Sequence, residues 1–183
     1  MNLLVPKNVE NNEILVYFIF DKDFKNKKIS ASKIISKNIF LPNKGSVSLQ
    51  RNKYCNESCC KIIAKKIQNN RNFVGFVIFR KKDFEKVKLE YKKNDRKDFE
   101  AELTASPLDE NLLPTKKKNI YSEDKGNPTH AEIKYLNPAV QEDEKPNTAI
   151  RSFSRKFYKK CSLIIDKKPE ENFYNGDIFQ NVI

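Results

Sequence analysis

The chain's only histidine stands in Asn127-Pro128-Thr129-His130-Ala131-Glu132-Ile133, two residues ahead of a glutamate. Residues i and i+2 of a strand share one face, so His130 and Glu132 would stand side by side as an acid–base pair. Proton transfer needs a group that titrates near neutral pH, and His130 is the only imidazole on offer. Arg51 could serve beside them as the anchor for a nucleotide or another phosphorylated substrate. The plainer reading puts His130 and Glu132 on the wet face of an edge strand, with Ala131, Ile133 and Tyr135 packed inward. It is preferred, because no nucleophile or carboxylate cluster accompanies the pair. With only 4 glycines in 183 residues, no phosphate-binding loop motif can be drawn.

The same residues also admit two zinc readings. His130-Ala131-Glu132 matches the first half of the zinc-deaminase signature, whose second half is a downstream Pro-Cys-x-x-Cys. Only Cys161 lies downstream, so that reading fails. Cys55, Cys59, Cys60 and His130 could together give tetrahedral zinc three thiolates and an imidazole. Yet Cys60 fits the apolar stripe of one helix and Cys161 that of another, and buried free cysteine is ordinary core material. The reading therefore carries no metal and no cofactor.

A basic helix face is the more concrete binding feature. Over residues 147–161, Ile150, Phe153, Phe157 and Cys161 fall on one stripe, while Arg151, Arg155, Lys156, Lys159 and Lys160 fill the other side. Arg151, Arg155 and Lys159, at i, i+4 and i+8, would form a cationic row able to track phosphates. The formal net charge of +12 and pI of about 9.4 favour polyanions. Part of that excess is compositional, for Lys, Asn, Ile and Phe are the residues an AT-rich genome favours. The expected partner is a nucleic acid or an acidic protein, bound by a non-enzymatic accessory protein. The alternatives are the small His130/Glu132 enzyme and a structural subunit of a bacterial complex.

The elements that would position these residues read as an α+β domain, with a mixed or antiparallel sheet packed by two main helices. Strands are expected at Ile14–Phe20, 47–51, 73–79 and 130–136. Val87, Leu89 and Tyr91, then Phe99, Ala101 and Leu103, alternate with charged residues and predict a β-hairpin with one wet face. A short helix is expected over 30–38. A second begins at the N-cap Asn56 and runs to about residue 68, and the third is capped by Asn147. Residues 105–128 read as a long loop, 137–146 as another, and 169–183 as a weakly ordered tail. Residues 1–183 are expected to form a single domain. No apolar run approaches bilayer length and no leader pattern is present. The adjacent pair Cys59-Cys60 makes a poor disulfide framework, so the expected compartment is cytoplasmic, without membrane association.

Ser46-Val47…Arg51, Gly75-Phe76 and Asn127-Pro128-x-His130-Ala131-Glu132-Ile133 together resemble a pattern found in small uncharacterised bacterial proteins. The resemblance spans about the middle half of the chain and implies a bacterial origin. It carries no activity to any residue, though it draws interest to His130.

Overall fold

A computed structural model describes residues 2–42, 45–136 and 148–183. Its centre is a six-stranded sheet in which every pairing is antiparallel. The strands are β1 (Ile14–Phe20), β2 (Ser46–Arg51), β3 (Phe73–Arg80), β4 (Ala101–Ala105), β5 (His130–Tyr135) and β6 (Ser162–Ile165). Their order is β4-β5-β2-β1-β3-β6, so the two most apolar strands, β1 and β3, pair near the middle. Gly75 lies where β3 meets β6, and a Cβ there would collide with the backbone carbonyl of Ile164. Only glycine permits that close approach.

Alternation gives the sheet two unlike faces. Leu15, Ile19, Val47, Leu49, Val77, Phe79, Leu103 and Ile133 point to the first, where they pack on α2 (Lys81–Asn94) and α3 (Thr148–Tyr158). Phe153 and Phe157 of α3 pack, mostly edge to face, against Phe84, Phe99 and Phe79, the centre of this core. The second face carries Val16, Phe18, Phe20, Phe76 and Ile78, covered by α1 (Glu57–Lys66) and the C-terminal residues. Asn56 caps α1 as its sequence predicts, its side-chain oxygen accepting from the Cys59 N–H at 2.9 Å.

The expected hairpin is in fact helix α2 followed by the single strand β4. Phe84, Val87 and Tyr91 recur at i, i+3 and i+7 and are all buried, while Leu89 is 64% exposed. Asp83 accepts from the Arg80 N–H at the helix start, and Glu85 pairs with Lys88 one turn on. Strand alternation and helix periodicity both pass through residues 87 and 91; Phe84 decides for the helix. Residues 30–38 form two short 3-10 turns, Ala31–Lys33 and Ser36–Asn38, rather than one helix.

The C-terminal segment is largely exposed but anchored at defined points. Phe179 is fully buried against Phe76 and Tyr174, and its N–H donates to Glu57 Oε1 at 3.0 Å. Lys61, fully buried on α1, donates to the carbonyls of Lys168 and Phe173 and lies 2.8 Å from Asp166 Oδ2. A buried ammonium needs such partners, and they clamp the segment to the helix. No helix among the described residues is long and apolar enough to cross a membrane. The predicted loop at 137–146 and the cap Asn147 lie outside the described residues.

Candidate functional site

The half of the second face over β2, β5 and β4 is polar. Val47 and Leu49 point to the first core, so Ser46, Ser48 and Gln50 point the other way. Pairing sets them opposite the polar positions of β5: Gln50 faces His130, Ser48 faces Glu132 and Ser46 faces Lys134. Thr104 of β4 flanks Glu132 on its other side. β5 is thus an interior strand, and the wet-edge expectation for His130 and Glu132 does not hold: they are 6% and 8% exposed. Ala131, Ile133 and Tyr135 do pack inward.

Residues 106–129 roof this half. Leu108 and Asn127 pair through two backbone hydrogen bonds, and Gly126, at φ +94°, leaves no room for a Cβ beside the Asp109 carbonyl. Val5 donates to the Ile120 carbonyl at 2.7 Å, tying the N-terminal segment to the same roof. The predicted long loop is therefore a built lid over the sheet. Its underside does not fill the space. A cleft of about 370 Å³ remains between Ser48, Gln50, His130, Leu108 and Leu112 on one side and Phe18, Ile63 and Arg71 on the other.

His130 Nδ1 lies 2.7 Å from the Ser106 carbonyl oxygen. A carbonyl only accepts, so Nδ1 carries the proton and Nε2 presents a lone pair when the ring is neutral. Burial holds the imidazole below its ordinary titration range, against the opposing pull of the Ser106 carbonyl and Glu132. Burial alone would raise the Glu132 carboxyl; hydrogen bonds from Lys134, Ser106 and Ser46 reverse this and keep it below the usual range. The pair is thus a neutral imidazole beside a carboxylate. Thr129 bridges Gln50 Oε1 and Asn127 Oδ1 at 3.0 and 3.2 Å and fixes the strand entry.

The cleft continues into a second recess of about 530 Å³ through the shared residues Tyr17, Leu41 and Arg71. Lys22, Arg71 and Arg151 line it, with Asp23 as the carboxylate among them and Asn38 beside Arg151. Asn69 and Asn70 at the end of α1 take left-handed conformations, with φ of 37° and 59°. Asparagine tolerates that region better than most residues. The turn they make brings Arg71 back over Phe20, its guanidinium carbon 3.8 Å from the ring centroid. Arg71 also donates to the Gln68 and Ile67 carbonyls, which holds it in place. Phe40 is likewise left-handed, at φ 59°, and buried; Tyr135 donates to its carbonyl. That turn delivers Leu41 and Pro42 to the recess wall. A further cavity of about 420 Å³, within the roof, pairs its own charges, Lys117 with Asp124 and Lys125 with Glu110.

Arg51 is placed elsewhere. It follows Gln50, so its side chain leaves from the opposite face, and it is fully buried. Its guanidinium donates to both oxygens of Glu13, at 2.5 and 2.9 Å, and to the carbonyls of Pro6 and Asn8. The expected phosphate anchor is a structural clamp on the N-terminal segment. The expected cationic row is also divided. Helix α3 ends at Tyr158, and Lys160 and Cys161 donate to the Phe157 and Tyr158 carbonyls in a closing turn, so Lys159 lies past the helix. Arg151 belongs to the recess; Arg155, Lys159 and Lys160 are exposed; Lys156 pairs with Asp95 at 2.7 Å.

Cys55 and Cys60 are buried with their sulfurs 3.7 Å apart, and Cys59 is exposed. Among the described residues no group of three or more His, Cys, Asp or Glu is placed to hold a metal ion. Ser46, Ser48 and Gln50 were readable as the polar half of an alternation, but their pairing with His130 and Glu132 was not. Arg71 and Lys22 carried no signal at all. Comparison with protein-family models, curated proteins and solved structures gives no significant match for this chain.

Proposed function

We propose that this chain is a nucleic-acid-binding protein that holds phosphate in the recess formed by Lys22, Arg71 and Arg151. The observation that carries the proposal is the convergence of three cations from three separate elements on one concavity, where Asp23 is the one carboxylate among the described lining residues. Two of the three are arginines, whose planar donors suit phosphate oxygens. A concave site admits a strand or a nucleotide more readily than the convex surface of an acidic protein. Arg155, one helical turn beyond Arg151, and Lys159 and Lys160 extend the positive surface outward along α3.

The test is fluorescence anisotropy of a labelled single-stranded oligonucleotide at several salt concentrations. Arg71→Ala with Arg151→Ala should weaken binding at least tenfold. The slope of log K against log salt should shrink by about one for each phosphate contact removed. Because Arg71 also bonds the end of α1, each variant is first checked for an unchanged melting transition. Wild-type affinity and slope in a folded double variant would sink the proposal. Retained oligonucleotide binding that is lost instead in Arg155→Glu with Lys159→Glu would move the site to the outer face of α3.

A second reading, a small enzyme acting on a nucleotide or phosphorylated substrate, is favoured by one feature. His130 lines the cleft that continues into the cationic recess, and Glu132 lines the adjoining recess beside it. It predicts conversion of a labelled oligonucleotide or nucleotide that disappears in His130→Asn. Conversion by that variant at the wild-type rate would remove it.

A further inference from the structure

We infer that the deep end of the cleft is a selectivity site for hydrogen-bond donors, with His130 Nε2 as its acceptor. It would take the sugar hydroxyl or amino group of a ligand whose phosphate sits in the cationic recess. The inference rests on the phosphate reading of that recess and adds what the ligand must carry at its other end.

The His130 side chain is more than nine-tenths buried, yet it lines both the 370 Å³ cleft and the neighbouring recess that holds Glu132. Its Nδ1 proton is committed to the Ser106 carbonyl. No hydrogen-bond partner for Nε2 is found among the described residues, and Nε2 is not among the buried unsatisfied atoms, so it opens to the cleft. In the free protein water can reach that acceptor, and a ligand donor would take the water's place. The second acceptor in the tract is the Glu132 carboxylate, already fed by Lys134, Ser106 and Ser46. Donors on the ligand are thus matched, and a carbonyl at the same place would meet a lone pair. The apolar side chains of Phe18, Ile63 and Leu112 line the same cleft and suit the face of a flat ring.

This arrangement separates two kinds of recognition. Phosphate at the cationic end supplies affinity common to every nucleotide, as phosphate contacts position without specifying. Discrimination comes from the acceptor end, where a site built around a hydrogen bond rejects analogues lacking the partner. His130 is a binding residue in this inference, with no bond made or broken.

The test uses defined probes: inorganic phosphate, adenosine monophosphate, its 2′,3′-dideoxy analogue and its N6,N6-dimethyl analogue, measured by calorimetry at about pH 7.5. Adenosine monophosphate should bind at least tenfold more tightly than inorganic phosphate. One of the two analogues should lose most of that gain, which tells hydroxyl from amine. Two variants make the result specific. His130→Gln places an amide near the position of Nε2 and should keep part of the discrimination. His130→Asn reproduces only the nearer nitrogen, keeps a donor for the Ser106 carbonyl, and should bind all the nucleotides alike. If both analogues match adenosine monophosphate in the wild type, or if His130→Asn discriminates as well as wild type, the inference is overturned. Phosphate binding that depends on Arg71 while discrimination is absent would defeat this inference and leave the recess standing. Absence of any Arg71-dependent phosphate binding would defeat the recess itself.

Discussion

The two halves of the sheet's second face share one alternation and have opposite character. Over β1 and β3 it presents Val16, Phe18, Phe76 and Ile78; over β2 and β5 it presents Ser46, Ser48, Gln50, His130 and Glu132. What differs is the cover. The apolar half lies under α1 and the C-terminal segment, which bring Cys60, Ala64 and Phe179 down onto it. The polar half lies under residues 106–129, irregular chain whose backbone pairs only in scattered turns and loop contacts. A helix satisfies its own backbone and can lie on a dry surface, whereas irregular chain keeps polar groups that need water or polar partners. The polar half therefore stays open enough to hold a cleft, and the one neutral imidazole of the chain is at its floor.

The sharpest way to break this comparison is to truncate one residue in each half. Phe76 touches Phe18, Phe73, Tyr174 and Phe179 and is fully buried. Phe76→Ala should cost about 4 kcal/mol of stability. Ser48→Ala, facing the cleft, should cost no more than about 0.5 kcal/mol, in the range of positions that support no core. Urea denaturation of both proteins checks the pair. Equal losses would mean the polar half is as tightly built as the apolar one, and the cleft would lose its meaning as a site.

The next largest effect concerns the two arginines that exchanged roles. Arg51 is buried on Glu13, and Arg51→Met would leave that carboxylate without its charge partner, a loss of about 3 kcal/mol. Arg71 lies at a recess wall, and its replacement should cost far less stability while removing ligand binding. The same denaturation series, run beside the anisotropy titration, separates them. An Arg51→Met protein that stays as stable as wild type and fails to bind oligonucleotide would restore Arg51 as the anchor.

Local pattern carried much of the fold. The continuous apolar runs at 14–20 and 73–79 could only be buried strands, and Asn56 ahead of the Cys60, Ile63 and Ala64 stripe marked a helix start. The pattern failed where two periods agree on the same residues, as at Val87 and Tyr91, and the position that separates them was Phe84. The tail failed for another reason. Phe179 has no periodic neighbours, and it is ordered by Phe76 and Glu57, more than a hundred residues away. The site was legible only in part for the same cause. His130 and Glu132 could be placed on one face, but whether that face is wet depends on β4 pairing outside it and on the roof above. Arg51 reads as an anchor by residue type alone; in the strand it stands one position past Gln50 and so leaves from the other face. Arg71 follows three asparagine and glutamine residues and became part of the site only through a left-handed turn.

The smallest expected effect tests the charge state on which the selectivity argument rests. Burial lowers the His130 titration in the folded protein from the ordinary 6.5, while the unfolded chain keeps that value. Below about pH 6.5 the unfolded state therefore binds a proton that the folded state does not, and stability must fall with pH until the folded value is passed. The charged group facing the ring from its own strand is Glu132, with Lys134 bound to it; Arg71 lies across the cleft. Glu132 has the same sign of linkage but a lower window. Its folded titration lies under the ordinary 4.5, so its contribution is complete above that value and is lost as pH falls further. The two windows can be told apart by melting temperature. Between about pH 7.5 and 5.5 the wild type should lose stability and His130→Gln should lose less, with the difference gone above about pH 7. Adenosine monophosphate binding should hold through that interval and weaken only at lower pH, where the folded imidazole itself is protonated, because a protonated Nε2 becomes a donor and can no longer accept from the ligand. Identical pH curves for the two proteins would show a solvated imidazole, and the contrast between the two halves of the face would then have to rest on the serines alone.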